Sequence, residues 1–170
     1  SITLTTAGTY SSANVGGTIS MTMADTVSGT NVATNYTLTQ PTVTGAITAK
    51  ALGISATGTY ASSTTITPAT AVLTGLVSAD SAATATSLVM SDANVGTGLY
   101  VTGLTLSNGS QGNYVLNSTA NTTLATDTTN TVTLSKAVLT VTGTTVTSKT
   151  YDGTTSATFT GATLVGKQGS

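Results

Sequence analysis

An all-β fold is what this sequence predicts, and three observations predict it. Thr supplies roughly a quarter of the 170 residues, Glu and Arg are absent, and only 5% of residues are charged. Strand-favouring side chains therefore dominate, while the helix formers other than Ala are scarce. Short apolar runs alternate with Thr and Ser at the two-residue period of a strand buried on one face. Breaks rich in Gly, Asn and Ser separate them at the spacing of short strands in a sandwich, about 8–12 residues. A low-complexity linker is the competing reading of a Thr/Ser/Gly-rich chain. It runs against the 38% hydrophobic content and the formal charge of −1, because disordered chains combine low hydrophobicity with high charge.

The elements follow in order. Residues 2–5, Ile-Thr-Leu-Thr, alternate strictly and read as a strand. A turn over 11–17 leads to a strand over 18–23, with Ile19, Met21 and Met23 on one face. Residues 25–34 connect, with room for one helical turn. Strands over 36–39 and 43–47 flank Gln40-Pro41, and Pro41 belongs at an edge or bulge because it cannot donate to a ladder. A strand carrying Leu52 and Ile54 comes next, followed by strands over 73–77, 86–90, 99–106, 114–116, 131–134 and 138–142. Asn108-Gly109 is a turn, since both residues tolerate positive φ.

The chain repeats itself. Asn14-Val15-Gly16 matches Asn94-Val95-Gly96 at 94 − 14 = 80, and Asn35-Tyr36 matches Asn113-Tyr114 at 113 − 35 = 78. Lys50 matches Lys136 at 136 − 50 = 86, and Thr74-Gly75 matches Thr160-Gly161 at 160 − 74 = 86. The change from 78 to 86 places about eight extra residues in the second copy, within the Thr/Asn-rich stretch 120–129. On this spacing residues 1–50 are the C-terminal half of a module, 51–136 a complete one, and 137–170 the N-terminal half of a further one. A module of about 85 residues buries enough surface for one modest two-layer core. The expectation is tandem small β-sandwich-like modules in an elongated array. Half-modules leave strand edges unpaired, and such edges template pairing with another chain. Completion by the neighbouring repeat, or by an identical subunit head to tail, is therefore expected; the latter does not close on itself and builds a filament.

Near the C-terminus, Lys149-Thr150-Tyr151-Asp152-Gly153-Thr154-Thr155 follows the β-like run at 137–143. This stretch resembles the YDG (MBG-type) repeat of filamentous-haemagglutinin-like bacterial surface adhesins. The resemblance extends to Ala13-Asn14-Val15-Gly16 and Ala93-Asn94-Val95-Gly96, to Asn35-Tyr36 and Asn113-Tyr114, and to the junctions at Lys50 and Lys136. It implies an extracellular module at a bacterial cell surface, Ig-like or β-grasp-like in fold, serving as a stalk or fibre-forming unit. In the complete module the Tyr-Asp-Gly motif is replaced by Ser63-Thr64-Thr65-Ile66-Thr67-Pro68, so Tyr151 and Asp152 are motif residues that a whole module dispenses with.

The side-chain inventory excludes most chemistry. Without His, Cys or Glu, the general bases are Asp25, Asp80, Asp92, Asp127 and Asp152, and neither a Ser/His/Asp triad nor a Cys/His pair can be assembled. Each Asp sits in a turn-like segment, the ordinary place for Asp. No enzymatic activity, no cofactor and no metal is expected, and the Asp-x-Asp-x-Asp-Gly spacing of a calcium loop is absent. Four scattered Lys make no footprint for nucleic acid, and no apolar run reaches the ~20 residues of a membrane span. Lys50 and Lys136 are candidates for a Lys–Asn isopeptide cross-link. Residues 35–37, 108–110, 117–119 and 121–123 match the glycosylation sequon, a weak signal in this composition. The second functional expectation is recognition of glycans or of host and other cell surfaces by Thr/Asn/Tyr-rich loops, with 120–129 foremost.

Overall fold

The computed structural model describes residues 1–96, 98–116 and 129–169. The chain is mostly β, with 47% of residues in strands and 7% in helix, and its strands form several small sheets. In order the elements are β1 (Ile2–Thr5), β2 (Gly8–Tyr10), β3 (Gly16–Met23), β4 (Thr26–Gly29), α1 (Val32–Asn35), β5 (Val43–Ile47), β6 (Lys50–Thr59), β7 (Thr65–Ile66) and β8 (Thr70–Thr74). After a 3-10 turn at Ser78–Asp80 come β9 (Ala85–Met90), β10 (Val101–Leu106), a second 3-10 turn at Ser110–Asn113, β11 (Tyr114–Leu116) and β12 (Asn130–Ser135). The last four strands are β13 (Thr140–Thr142), β14 (Thr145–Thr147), β15 (Thr158–Thr160) and β16 (Thr163–Val165). Residues 117–119, 121–123 and most of 120–129, named above as sequons and as a candidate binding loop, lie outside the described residues.

Contacts divide the chain into two units, Ser1–Lys50 with Ser110–Val115, and Ala51–Gly109 with Leu116–Ser170. In the first unit β1 pairs antiparallel with β4, and β2–β3–β5 form an antiparallel sheet. Ile19 is buried and Met21 and Met23 are half-buried on β3, the face that alternation predicts. Gln40 spans the backbone of Asp25: its Oε1 accepts the Asp25 N–H at 2.9 Å and its Nε2 donates to the Asp25 carbonyl at 2.8 Å. Residues 36–39, expected as a strand, belong to none; Tyr36 is extended at φ −136°, ψ 143°, but no ladder partner faces it among the described residues. Extended backbone becomes strand only when a neighbour takes its hydrogen bonds.

The second unit carries the main core. One sheet runs β10–β9–β7; in the other β6 pairs with β8 and with β12. β6 pairs antiparallel with β8 on one edge, Ile54 facing Leu73, and parallel with β12 on the other, Ile54 facing Asn130. Between the sheets Ile54, Ala56, Ile66, Leu88, Met90, Leu99, Val101, Val132 and Leu134 pack into one buried cluster. A strand with hydrogen bonds on both edges and an apolar neighbour layer has little left to expose, which is why Ile54 is fully buried.

Gly75 ends β8 at φ +92°, and a Cβ built there would lie 2.9 Å from the Ala51 carbonyl oxygen. Gly75→Ala therefore meets both a left-handed backbone and a close main-chain approach. The variant is expected to lose about 1–3 kcal/mol of stability in urea unfolding.

Beyond β12 the chain changes character. β13 pairs with β16 and β14 with β15, each a two-stranded antiparallel sheet, and every residue from 138 to 169 is exposed. Facing Thr hydroxyls meet across both pairs, Thr142 with Thr163 at 3.1 Å and Thr145 with Thr160 at 2.9 Å. Val138, Val141, Val146 and Phe159 are each at least 60% exposed. An isolated two-stranded ribbon is marginal in water, and among the described residues no layer covers these exposed apolar side chains.

Candidate functional site

Asp152 organises the loop between β14 and β15. Its Oδ1 accepts hydrogen bonds from Lys149 Nζ, the Thr154 N–H and Thr154 Oγ1, each at 2.9 Å. Lys149 Nζ also donates to the Thr154 carbonyl at 2.9 Å. Gly153 takes φ +73°, the left-handed conformation that closes the turn without a Cβ penalty. The Lys149 ammonium, and then the Thr154 donors, hold the Asp152 carboxyl below the ordinary carboxylate range. A group with a lowered folded pKa contributes order above its unfolded pKa and loses it as pH falls through the folded one. NMR titration is expected to show Asp152 titrating below the ordinary carboxylate range, and Lys149→Ala is expected to move it upward. Tyr151 is 95% exposed, because nothing overlies this ribbon among the described residues.

The other described Asp residues also serve turns. Asp25 Oδ1 accepts the Ala7 N–H, Asp80 Oδ1 accepts from Asn108 Nδ2, and Asp92 Oδ1 accepts the Asn94 N–H. No three metal-ligating side chains come together among the described residues. Among the described residues no helix is long and apolar enough to cross a membrane. Lys50 begins β6 and Lys136 follows β12; both are exposed. The one buried polar residue among those described is Asn130, whose Oδ1 accepts the Val101 N–H and whose Nδ2 donates to the Val101 carbonyl, both at 2.8 Å.

Two motifs that the sequence offered separately belong together. Asn113, closing the second 3-10 turn, holds the turn at Asn14-Val15: its Oδ1 accepts the Val15 N–H at 2.9 Å, and its Nδ2 donates to Asn14 Oδ1 at 2.9 Å. An Asn-Tyr pair thus grips an Asn-Val-Gly turn 98 positions before it. Nothing in the spacing of either motif links them. The counterpart pair, Asn35-Tyr36, closes α1, and Tyr36 is 60% exposed. The counterpart turn, Asn94-Val95, is braced by Asp92 just as Asn14 is braced by Ser12.

Geometry also matches strands across repeats. Tyr10 faces Met21 as Met90 faces Val101, and Ser11 N–H donates to Ser20 O as Ser91 N–H donates to Tyr100 O, each pair offset by 91 − 11 = 100 − 20 = 80. Val141 faces Leu164 as Ile54 faces Leu73. Gly166, at φ +94°, lies against the Val138 carbonyl as Gly75 lies against that of Ala51. β13–β16 is therefore the β6–β8 pair over again, offset by 141 − 54 = 87 on one strand and 166 − 75 = 91 on the other. Gly75 thus corresponds to Gly166 rather than to Gly161, because backbone register decides equivalence where the letters Thr-Gly recur by chance.

The environments of the matched strands differ. Ile54 N–H donates to the Thr129 carbonyl at 2.7 Å across the edge that β12 occupies. Among the described residues β13 pairs with β16 alone and β5 with β3 alone. Ile54 is fully buried, whereas its counterpart Val141 is 61% exposed. Beside β13 lies a cleft of about 520 Å³ lined by Tyr60, Asn94, Val95, Lys136, Ala137, Leu139, Gly166, Lys167 and Gln168. The first unit has a smaller apolar cavity of about 150 Å³ between Ile2, Val27, Val32, Tyr36 and Leu38. A comparison with family models, with curated proteins and with solved structures returned no match.

Proposed function

We propose that the chain is a structural repeat of a bacterial extracellular adhesin or surface filament, built of sandwich-like modules and acting as a stalk or fibre-forming unit. The resemblance of residues 149–155 and of the Asn-Val-Gly and Asn-Tyr motifs to YDG repeats supports the setting. One observation carries the mechanism: the β6–β8 pair and the β13–β16 pair share one register, yet only the first is covered by a partner strand and a core. The second half-module is completed by a neighbouring repeat or subunit, and tension is then borne by main-chain hydrogen bonds in the sheets. Sedimentation of the 170-residue protein tests this. Mass that rises with concentration in one-dimensional steps is expected, and a monomer at millimolar concentration overturns it.

A second reading has an observation of its own. The cleft beside β13 gathers two of the four Lys with Tyr60, Asn94 and Gln168, groups suited to a saccharide face, its hydroxyls and an acidic substituent. A glycan array with wild type and Lys136→Ala/Lys167→Ala separates the two readings. Binding to acidic glycans lost in the double variant supports recognition, and the stalk reading expects no specific binding.

A further inference from the structure

We infer that the cleft beside β13 is a socket for a second copy of this chain, which inserts Asn35 against the Asn94-Val95 turn and lays β5 parallel to β13. The inference rests on the end-to-end reading above and specifies its contacts. It starts from the socket that is already filled within the chain. At the Asn14-Val15 turn the occupant is Asn113, at the end of a single helical turn and followed by Tyr114. The Asn94-Val95 turn stands at the corresponding place 80 residues on, closed by a Ser91–Tyr100 backbone hydrogen bond as the first is by Ser11–Ser20. It opens on the 520 Å³ cleft, and Leu139 of the unfinished module lines the same cleft. The residue that corresponds to Asn113 is Asn35, also at the end of a single helical turn and followed by a Tyr that is exposed.

The strand register follows from the same equivalences. In the complete module Asn130 faces Ile54, Val132 faces Ala56 and Leu134 faces Gly58, all in parallel. Leu99 corresponds to Ile19 at 99 − 19 = 80, and Val132 N–H donates to the Leu99 carbonyl at 3.0 Å where Ile19 faces Gly45, so Val132 corresponds to Gly45 at 132 − 45 = 87 and Asn130 to Val43 at the same offset. Ile54 corresponds to Val141 at the same offset, 141 − 54 = 87. Val43 of the second copy therefore faces Val141, Gly45 faces Gly143 and Ile47 faces Thr145. The half-buried residues of β5 are Gly45 and Ile47, so this register turns its less polar face to the side on which Val132 and Leu134 meet the core. Contact is heterologous, since β5 and β13 are different surfaces, so each added copy leaves a new socket.

The natural absence of Cys makes the register testable by mixing single-cysteine variants. Val43→Cys is mixed with Val141→Cys, and in parallel with Val146→Cys, a position of equal exposure on β14. Facing residues on paired strands are about 4.8 Å apart, within the Cα separation a disulfide spans. Mild oxidation is expected to link Val43→Cys to Val141→Cys at least tenfold faster than to Val146→Cys. Asn35→Ala, with an unchanged circular dichroism spectrum, is expected to weaken association about tenfold, the loss of two neutral hydrogen bonds. Association without preference for position 141, and unaltered by Asn35→Ala, overturns this docking while leaving end-to-end assembly standing. A protein that stays monomeric overturns both.

Discussion

Asn130→Ala is expected to lower the stability of the second unit by about 2–4 kcal/mol, the loss of two buried hydrogen bonds plus the cost of leaving their partners unsatisfied. The Asn130 side chain is fully buried and bonds both main-chain groups of Val101, itself 1% exposed. It thereby joins the start of β12, in one sheet, to the start of β10 in the other. Truncation strands the Val101 N–H and C=O where water does not reach. Urea unfolding at a concentration below association checks this, with Gln40→Ala as the reference. Gln40 makes the same two-bond clasp on Asp25, but in exposed positions where water replaces it, so a loss below about 1 kcal/mol is expected. Asn130→Asp sharpens the test. Its carboxylate can no longer donate to the Val101 carbonyl, and burial raises its folded pKa, so the folded state holds more protons than the unfolded one. Stability of that variant is expected to fall as pH rises above the ordinary carboxylate range.

Leu88→Ala is expected to cost about 3–5 kcal/mol, whereas Val141→Ala in dilute protein should change stability by less than about 0.5 kcal/mol. Leu88 is fully buried in the cluster that includes Ile54 and Val101, and removing its side chain leaves a cavity between two sheets. Val141 stands at the position of Ile54 in the repeated strand pair, but water already reaches it. The contrast measures how unequal two equivalent strands become when only one is covered. With assembly, the cost of Val141→Ala is expected to rise with protein concentration. A cost independent of concentration would mean that no partner covers β13.

Local sequence chemistry accounts for much of what the structure contains. Alternation placed Ile19, Met21 and Met23 on one face of β3, and strands form over the expected cores of 2–5, 18–23, 43–47, 86–90, 101–106, 114–116 and 131–134. The turn at Asn108-Gly109 forms with φ +74° at Gly109. Residues 36–39 look as strand-like as 114–116, yet only the latter form a strand. The difference lies in the partner available to each, which a period of two cannot report. The same limit applied to Tyr151, whose ring has a motif around it but no layer above it.

The all-β class, the turn chemistry of the Asp, Asn and Gly residues and the recurrence of the Asn-Val-Gly and Asn-Tyr motifs are legible in the residues alone, because each depends on neighbours a few positions away or on letters that recur. Which of the matched positions are covered follows from the three-dimensional arrangement. It set the offset of 87 that makes Val141 the counterpart of Ile54, the clasp of Asn130 on Val101, and the grip of Asn113 on the turn at Asn14-Val15. Those contacts join residues 29 and 98 positions apart, and hydrogen bonds at such separations are chosen by backbone register across sheets, to which the local pattern of side chains is blind.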